Sequence, residues 1–243
     1  MTLPPYVPIP DVERVLVVVA HPDDVDFAAA GTIASFTAAG LHVTYCLLTD
    51  GDAGGFDDAV DRTVIPAIRQ AEQRAAAETV GVSDLIFLGY PDGRLTLTHE
   101  LRRDISRVIR QVRPDRVLTS APERNYRRIG ASHPDHMVAG EASLCAVYPD
   151  ARNPYAHPEL LAVEGLAPWK VREVWQVGSP QPNHYVDITD VAESKVSALK
   201  CHASQTPNMD VAEFVRTAFA TQARAVGLPE GRLAEAFHIF GTA

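Results

Sequence analysis

The stretch RVLVVVAHPDD, residues 14–24, decides the fold of this chain and the place of its site. Its first half is an unbroken aliphatic run, which is typical of a strand buried on both faces of a parallel sheet. His21, Asp23 and Asp24 follow at once, around Pro22, whose fixed φ suits the first turn of a helix. The stretch therefore predicts a buried strand, a polar turn and the start of a helix.

The alternation of strand and helix patterns continues along the chain. Apolar runs predict strands at residues 14–20, 42–48, 85–88, 116–119, 171–177 and 185–188, and helical patterns fall at residues 25–39, 65–80, 101–112, 190–202 and 211–226. This repetition predicts an α/β fold, a doubly wound and mostly parallel Rossmann-like sheet with helices on both faces. We expect a long loop at residues 146–168 and a single domain over residues 1–243, since no linker or internal repeat divides the chain.

A second motif, SHPDH at residues 132–136, resembles the first in composition and follows another predicted strand. In doubly wound sheets ligands bind beyond the carboxyl ends of the strands, so the two motifs should meet at one edge. Asp50 and Asp52 follow the second strand and should lie near the same edge, as loop formers or as partners of the ligating side chains. If helices begin at the two prolines, the polar residues three apart in each motif come close together.

The residue types in these motifs indicate metal-assisted hydrolysis. One metal could take His21, Asp24 and His136 and keep a position open for water, which is the ligand set of a catalytic zinc. The same ligands also suit iron or cobalt. Asp23, left without a metal, is a candidate general base, and His133 could donate to a developing oxyanion or to a leaving amine.

The two motifs together resemble those of the LmbE-like, or PIG-L-type, N-deacetylases. Further landmarks occur in the same order along the chain: LTDG at 48–51, RQAE at 69–72, LGYPDG at 88–93, and the series Asp187, Lys195, His202, Ser204 and Gln205. The resemblance implies a zinc-dependent hydrolase that removes an N-acetyl or other N-acyl group from an amino sugar or its conjugate. It implies the same three metal ligands, Asp23 as base and His133 as the group that stabilises the oxyanion or protonates the amine.

The resemblance also concerns substrate binding. Arg69 and Asp92 match residues that hold sugar hydroxyls in relatives, a role that suits a planar donor fork and a carboxylate acceptor. Some thiol-sugar deacetylases of the family have a tyrosine where this chain has Ala131, which weakens a mycothiol-type assignment. Tyr126, in the same loop, is the candidate replacement.

Two other functions stay open at this level. An amidase that cleaves a larger acyl group would use residues 146–168 to shape its pocket. A non-catalytic signalling module that binds a metal or phosphate would explain acidic residues after the first two strands, but hard Mg²⁺ gains little from His21 and His136.

Composition excludes several classes of protein. A net charge of −9 without a basic stripe argues against a nucleic-acid partner. No apolar stretch approaches the roughly 20 residues that span a bilayer, and the N-terminus does not resemble a signal peptide. Three widely separated cysteines fit a reduced, cytoplasmic setting. The expected partner is a small-molecule glycoside or amino-sugar conjugate, and a homo-oligomer stays open.

Overall fold

A seven-stranded sheet organises residues 7–55 and 59–242, the part of the chain that the computed structural model describes. In chain order its strands are β1 (Arg14–Val19), β2 (His42–Thr49), β3 (Asp84–Tyr90), β4 (Arg116–Ser120), β5 (Glu173–Val177), β6 (His184–Asp187) and β7 (Ala234–Gly241). They lie in the order β3-β2-β1-β4-β5-β7-β6. Neighbouring strands are parallel throughout the first five positions of this order, from β3 through β2, β1 and β4 to β5. Strand β7 is antiparallel to both of its neighbours, β5 and β6. The predicted α/β fold with a mostly parallel sheet is confirmed.

The order of the strands reverses between β1 and β4, which pair directly. The chain builds β2 and β3 on one side of β1 and then crosses over to build β4 and β5 on the other. In open α/β sheets the crevice at such a reversal is the usual ligand site. One histidine motif follows each of the two strands that border it, so the topology alone brings the motifs together.

Helices cover both faces of the sheet, as predicted. They are α1 (Asp24–Ala38), α2 (Ile65–Thr79), α3 (His99–Val112), α4 (Pro134–Cys145), α5 (Pro158–Ala162), α6 (Ala192–Cys201) and α7 (Val211–Ala225). Alternate side chains of β1 enter different cores: Val15, Val17 and Val19 pack with α1, α2 and α6, whereas Leu16 and Val18 pack with α3 and α4. None of the described helices is both long enough and apolar enough to cross a bilayer.

Strand β7 was not predicted from the sequence. The charged Glu235 and the polar His238 interrupt its apolar residues, so no continuous apolar run marks the strand. That carboxylate is fully buried and is 2.8 Å from Nζ of Lys195, which is also fully buried. A buried charge in a core strand is stable only when it is paired. The partner of Glu235 lies on α6, so the local sequence around β7 does not reveal it.

The prediction of one long loop at residues 146–168 is wrong. The segment contains a helical turn at Ala146–Asp150 and the short helix α5. Two arginines of α3 hold it: Arg102 binds both carboxylate oxygens of Asp150, and Arg110 donates to main-chain carbonyls of the segment. These partners lie about forty residues away in sequence, so no local periodicity marks the structure.

Candidate active site

The first motif forms a tight turn at the end of β1. Helix α1 begins at Asp24, one residue before the predicted range 25–39, and the condition that it begin at Pro22 is not met. His21 and Asp24 still meet, because the main-chain N–H of His21 donates to the Asp24 carboxylate at 2.8 Å. A turn therefore provides the proximity that helical spacing was expected to give.

The second motif follows the prediction closely. Pro134 is the first residue of α4, and His133 caps the helix by accepting the N–H of Asp135 on its Nδ1 at 3.2 Å. Since Nδ1 acts as an acceptor, we infer that the neutral His133 ring carries its proton on Nε2. Burial, together with the charges of His21 and His136, lowers the pKa of His133 below its ordinary value.

Three predicted ligand side chains converge on one point. Nδ1 of His21 lies 3.2 Å from Nε2 of His136, and these two nitrogens lie 3.4 and 2.9 Å from the oxygens of Asp24. Donors at zinc-bonding distance in a tetrahedral arrangement stand about 3.3 Å apart. The spacing of these donor atoms therefore fits a single divalent transition-metal ion.

His133 and two further carboxylates lie around this group. The ring nitrogens of His21, His133 and His136 come within 4.8 Å of one another, so His133 has the position of an alternative or additional ligand. The donor atoms of His21, Asp92 and Asp135 also lie within 4.8 Å of one another and form a second group that could hold a metal ion. We favour His21, Asp24 and His136, because every pair of their donor atoms lies within 3.4 Å, whereas Nδ1 of His133 is already engaged by the N–H of Asp135.

The other nitrogen of His21 faces carboxylates. Nε2 lies 3.0 Å from Asp92 and 3.3 Å from Asp135, whose oxygens also accept the N–H groups of Gly93 and Leu95. Burial alone would lower the pKa of His21, but Asp24, Asp135 and Asp92 raise it to about 12. Carboxylates that hold a ligating histidine in this way fix its ring orientation and its basicity. No role was predicted for Asp135, although it lies inside the second motif.

Asp23 lies beside the three predicted ligands and is held by α2. Its carboxylate is 3.0 Å from Nη2 of Arg69, and its main-chain N–H donates to Gln73 at 2.7 Å. Burial raises the pKa of Asp23 to about 7, even though the Arg69 charge acts to lower it. The carboxylate is thus held in a defined place next to the predicted ligands, as a base would require.

Arg69 and Asp92, the two predicted sugar-binding residues, both contact the site. Arg69 is 3 % exposed and also donates to the carbonyl oxygens of Pro22 and Gly51. The N–H of Asp92 donates to Asp52 at 2.9 Å, which confirms that the loop after β2 reaches this edge. In the structure the two side chains are therefore committed to Asp23 and His21, and substrate contact stays a prediction for both.

A buried polar network behind α1 was missed in the sequence. One oxygen of Asp26 accepts a hydrogen bond from Gln73 at 2.8 Å and lies 2.8 Å from Nε2 of His202. Gln73 in turn holds the main chain of Asp23. An aspartate in an alanine-rich, buried helix was the available signal, because such a group needs hydrogen-bond partners. His202 was expected to cap or pack at a helix end, and it does follow the last residue of α6.

A cavity of about 260 Å³ opens onto the predicted ligands. Asp24 and His136 line it, together with Phe27, Arg128 and Val177 among others. A larger cavity, about 410 Å³, lies between Gly54, Ile65 and Pro207 but contains none of the predicted metal ligands. The smaller cavity is the candidate substrate site, since the reactive groups face it. Tyr126 is 85 % exposed and does not line it.

Comparisons with known proteins show what this chain is similar to. A family model described as PIG-L, GlcNAc-PI de-N-acetylase, matches residues 16–147, just over half of the chain. Diacetylchitobiose deacetylase of Thermococcus kodakarensis is 37 % identical over 200 residues, which cover 82 % of this chain and 73 % of that protein. Probable N-acetyl-alpha-D-glucosaminyl L-malate deacetylase 2 of Bacillus cereus is 36 % identical over 203 residues, covering 81 % of this chain and 85 % of that one.

A solved structure extends the similarity to the fold. N,N'-diacetylchitobiose deacetylase from Pyrococcus horikoshii superposes with a TM-score of 0.86 at 31 % identity, covering 95 % of this chain and 84 % of that chain. These relatives are named as deacetylases, enzymes that hydrolyse amide bonds. The family match and the similarity to these relatives show that the chain belongs to the PIG-L family of de-N-acetylases.

Proposed function

We propose that this protein is a metal-dependent hydrolase that removes the N-acetyl group from an N-acetylglucosamine-containing molecule, giving acetate and a free amine. The observation that carries the proposal is the close spacing of His21, Asp24 and His136, of which Asp24 and His136 line the cavity, with Asp23 and His133 beside them. We further propose that residues 1–243 act as one catalytic domain, because all seven described strands belong to one sheet.

The donor set supports a bound transition metal, and Zn²⁺ is our choice. Two imidazoles and one carboxylate are a common set for catalytic zinc, and they leave the ion with a net positive charge. When bound, such an ion would supply Lewis acidity to the amide carbonyl and to a water molecule. Asp92 and Asp135 would keep the His21 ring turned toward it.

Asp23 takes the proton of the attacking water in this proposal. Among the described residues its carboxylate has no hydrogen bond or ion pair with the three predicted ligands, and Arg69 fixes one of its oxygens. The second oxygen stays available for the water. The proton can then pass from Asp23 to the nitrogen that leaves, so the base restores itself within one turnover.

His133 stabilises the developing oxyanion. Its Nδ1 is engaged by the N–H of Asp135, and the ring therefore presents Nε2–H to the substrate. The lowered pKa keeps the ring neutral around pH 7, so it acts as a hydrogen-bond donor. Removal of one such donor typically costs a factor of about 100 to 1,000 in kcat.

An acetate-release assay tests the proposal directly. Purified protein is treated with a chelator, dialysed, and assayed on N-acetylglucosamine glycosides before and after Zn²⁺ is restored. We expect acetate and free amine in equal amounts only when the metal is present. Release of acetate at the same rate by the metal-free protein would contradict the metal dependence, and no release by the metal-loaded protein would contradict the deacetylase assignment.

A further inference from the structure

The loop between β4 and α4 concentrates positive charge at the mouth of the candidate site. It has the sequence RNYRRIGA over residues 124–131, with three arginines in a chain whose net charge is −9. All three arginines are exposed. Only Arg128 is among the residues that line the cavity beside Asp24 and His136.

The main chain around Arg128 is held in place by hydrogen bonds. The main-chain N–H of Arg128 donates to the side-chain oxygen of Asn125 at 3.2 Å and also to the carbonyl oxygen of Asn125. The N–H of Ala131 donates to the carbonyl oxygen of Arg128 at 3.0 Å. Asn125 is itself tied to Ser132 on one side and to Gly178 on the other. The loop therefore presents the Arg128 side chain from a defined position, which reduces the entropy lost on binding a ligand.

The guanidinium of Arg128 has no hydrogen bond or ion pair with any residue in the described ranges 7–55 and 59–242. Its charge nevertheless reaches Lys195, because burial and, to a smaller extent, the Arg128 charge lower the pKa of that lysine. Nζ of Lys195 donates to the carbonyl oxygens of Asp26 and Phe27 in α1. Phe27 lines the same cavity. An unpaired cation thus faces the space where a substrate would lie.

We propose that Arg128 binds an acidic group, a carboxylate or a phosphate, on the part of the substrate outside the N-acylated sugar ring. The planar guanidinium pairs with either group through two parallel hydrogen bonds. The protein would accordingly prefer anionic amino-sugar conjugates over uncharged ones of the same size. This inference depends on the proposed deacetylase function and adds the substrate class to it.

The test compares substrates that differ only in charge. Three N-acetylglucosamine glycosides are needed, with an aglycone that ends in a carboxylate, in the corresponding uncharged carboxamide, or in a phosphate. The ratio of kcat/KM between charged and uncharged substrates is measured for the metal-loaded wild type, Arg128→Gln, Arg128→Lys and Arg127→Gln. Arg127 is the matched control, because it is an exposed arginine of the same loop that does not line the cavity.

We expect the wild type to favour at least one charged substrate by about tenfold, through KM, as for a partly solvated charge-assisted hydrogen bond. Which of the two anions is favoured identifies the acidic group. Arg128→Gln should bring the ratio close to one, Arg128→Lys should keep part of it, and Arg127→Gln should keep it whole. The ratio should also fall as salt is added.

Equal kcat/KM for charged and uncharged substrates in the wild type would overturn the inference, as would an unchanged ratio in Arg128→Gln. A wild-type ratio of one overturns the inference even if a variant fails to fold, and if Arg128→Gln fails to fold, an undiminished ratio in Arg128→Lys combined with no salt dependence also overturns it. Should the metal-loaded protein deacetylate none of the three substrates, the proposed function itself fails. Deacetylation without charge preference would remove only the role of Arg128.

Discussion

Asp23 has a main-chain φ of 101°, a conformation that residues with side chains rarely adopt. The Arg69 side chain and the Gln73 amide oxygen hold it there, and the neighbouring Asp24 is left to face His21 and His136. One strained turn thereby directs two adjacent aspartates to different partners. Strain of this kind persists only where the surroundings impose it, and it is common at functional sites.

Asp23→Asn tests the base at this position. Asparagine tolerates positive φ nearly as well as aspartate, so the turn should keep its shape. We expect the variant to retain its metal but to lose at least about 100-fold in kcat, because the amide cannot accept the proton of water. Deacetylase assays and metal analysis of the same samples would show this.

Asp84→Asn is the matched control, since Asp84 is an exposed aspartate at the start of β3 that pairs with His42 and lies outside the site. It should behave as the wild type in both measurements. Wild-type turnover in Asp23→Asn would show that the proton goes elsewhere.

His136→Ala tests the metal ligands. We expect the wild type to bind about one ion per chain, and we expect the variant to lose most of it, since two donors hold a zinc ion far less tightly than three. Elemental analysis of protein purified without chelators is the measurement. His42→Ala is the control, because His42 also lies near an aspartate, Asp84 at 2.9 Å, but is outside the site. Full metal content in His136→Ala would exclude that residue as a ligand.

The grouping of the candidate ligand side chains was largely predictable because each motif is local. His21 and Asp24, like His133 and His136, are close in sequence, and a strand end or a proline is enough to place them. Asp26, Gln73 and His202 come from three separate elements, so their network depends on tertiary packing that no short motif encodes. The same limit applies to Arg69, whose contact with Asp23 spans 46 positions.

At the scale of elements, helix α4 carries His136 and packs unusually close to β4. Gly140 allows this approach, because a Cβ at that position would overlap the carbonyl oxygen of Ser120 and stand 3.0 Å from the nitrogen of Pro122. These are main-chain atoms that cannot rotate away. The absence of a side chain at Gly140 therefore sets the distance between α4 and the sheet, and with it the position of His136.

Gly140→Ala should destabilise the fold by about 2 kcal/mol, as overpacking of a close contact does. Urea unfolding followed by circular dichroism gives the free energy of unfolding. Gly130→Ala is the control, because a Cβ there meets nothing within 4 Å and Gly130 has no positive φ. Equal free energies of unfolding for the two variants would contradict the close contact between α4 and β4.

Among the elements, the predicted strands and helices that proved right have strong local patterns. Strand β1 is a continuous aliphatic run, and α3 has its apolar residues on one face. Local patterns did not predict β7 or the helices within residues 146–168, where charged residues are paired with distant partners. Burial of Glu235 and Asp150 depends on Lys195 and Arg102, and only the folded chain brings those partners close.

For the molecule as a whole, the pair of Lys195 and Glu235 joins three regions of the chain. Lys195 also donates to main-chain carbonyls of α1, and Glu235 accepts the N–H groups of Gly31 and Thr32 in the same helix. Helix α6, strand β7 and helix α1 therefore meet at one buried ion pair. Loss of one partner would leave the other charge without compensation.

Lys195→Ala should lower the free energy of unfolding by about 3 kcal/mol, because it leaves the buried Glu235 carboxylate unpaired. Lys200→Ala is the control on the same helix, where the lysine is exposed and the change should stay within about 0.5 kcal/mol. Chemical denaturation of both variants is the measurement. An equally small effect at both lysines would mean that the buried pair contributes little.

Strand β7 lies between β5 and β6 although it follows both in sequence. During synthesis β6 therefore emerges from the ribosome with no neighbour to bond to, and it must wait until residues 234–241 have been translated. The parallel half of the sheet can assemble earlier, as the chain elongates. A ribosome that stalled before residue 234 would hold a nascent chain with both flanking edges open to other strands, which is a target for chaperones or for aggregation.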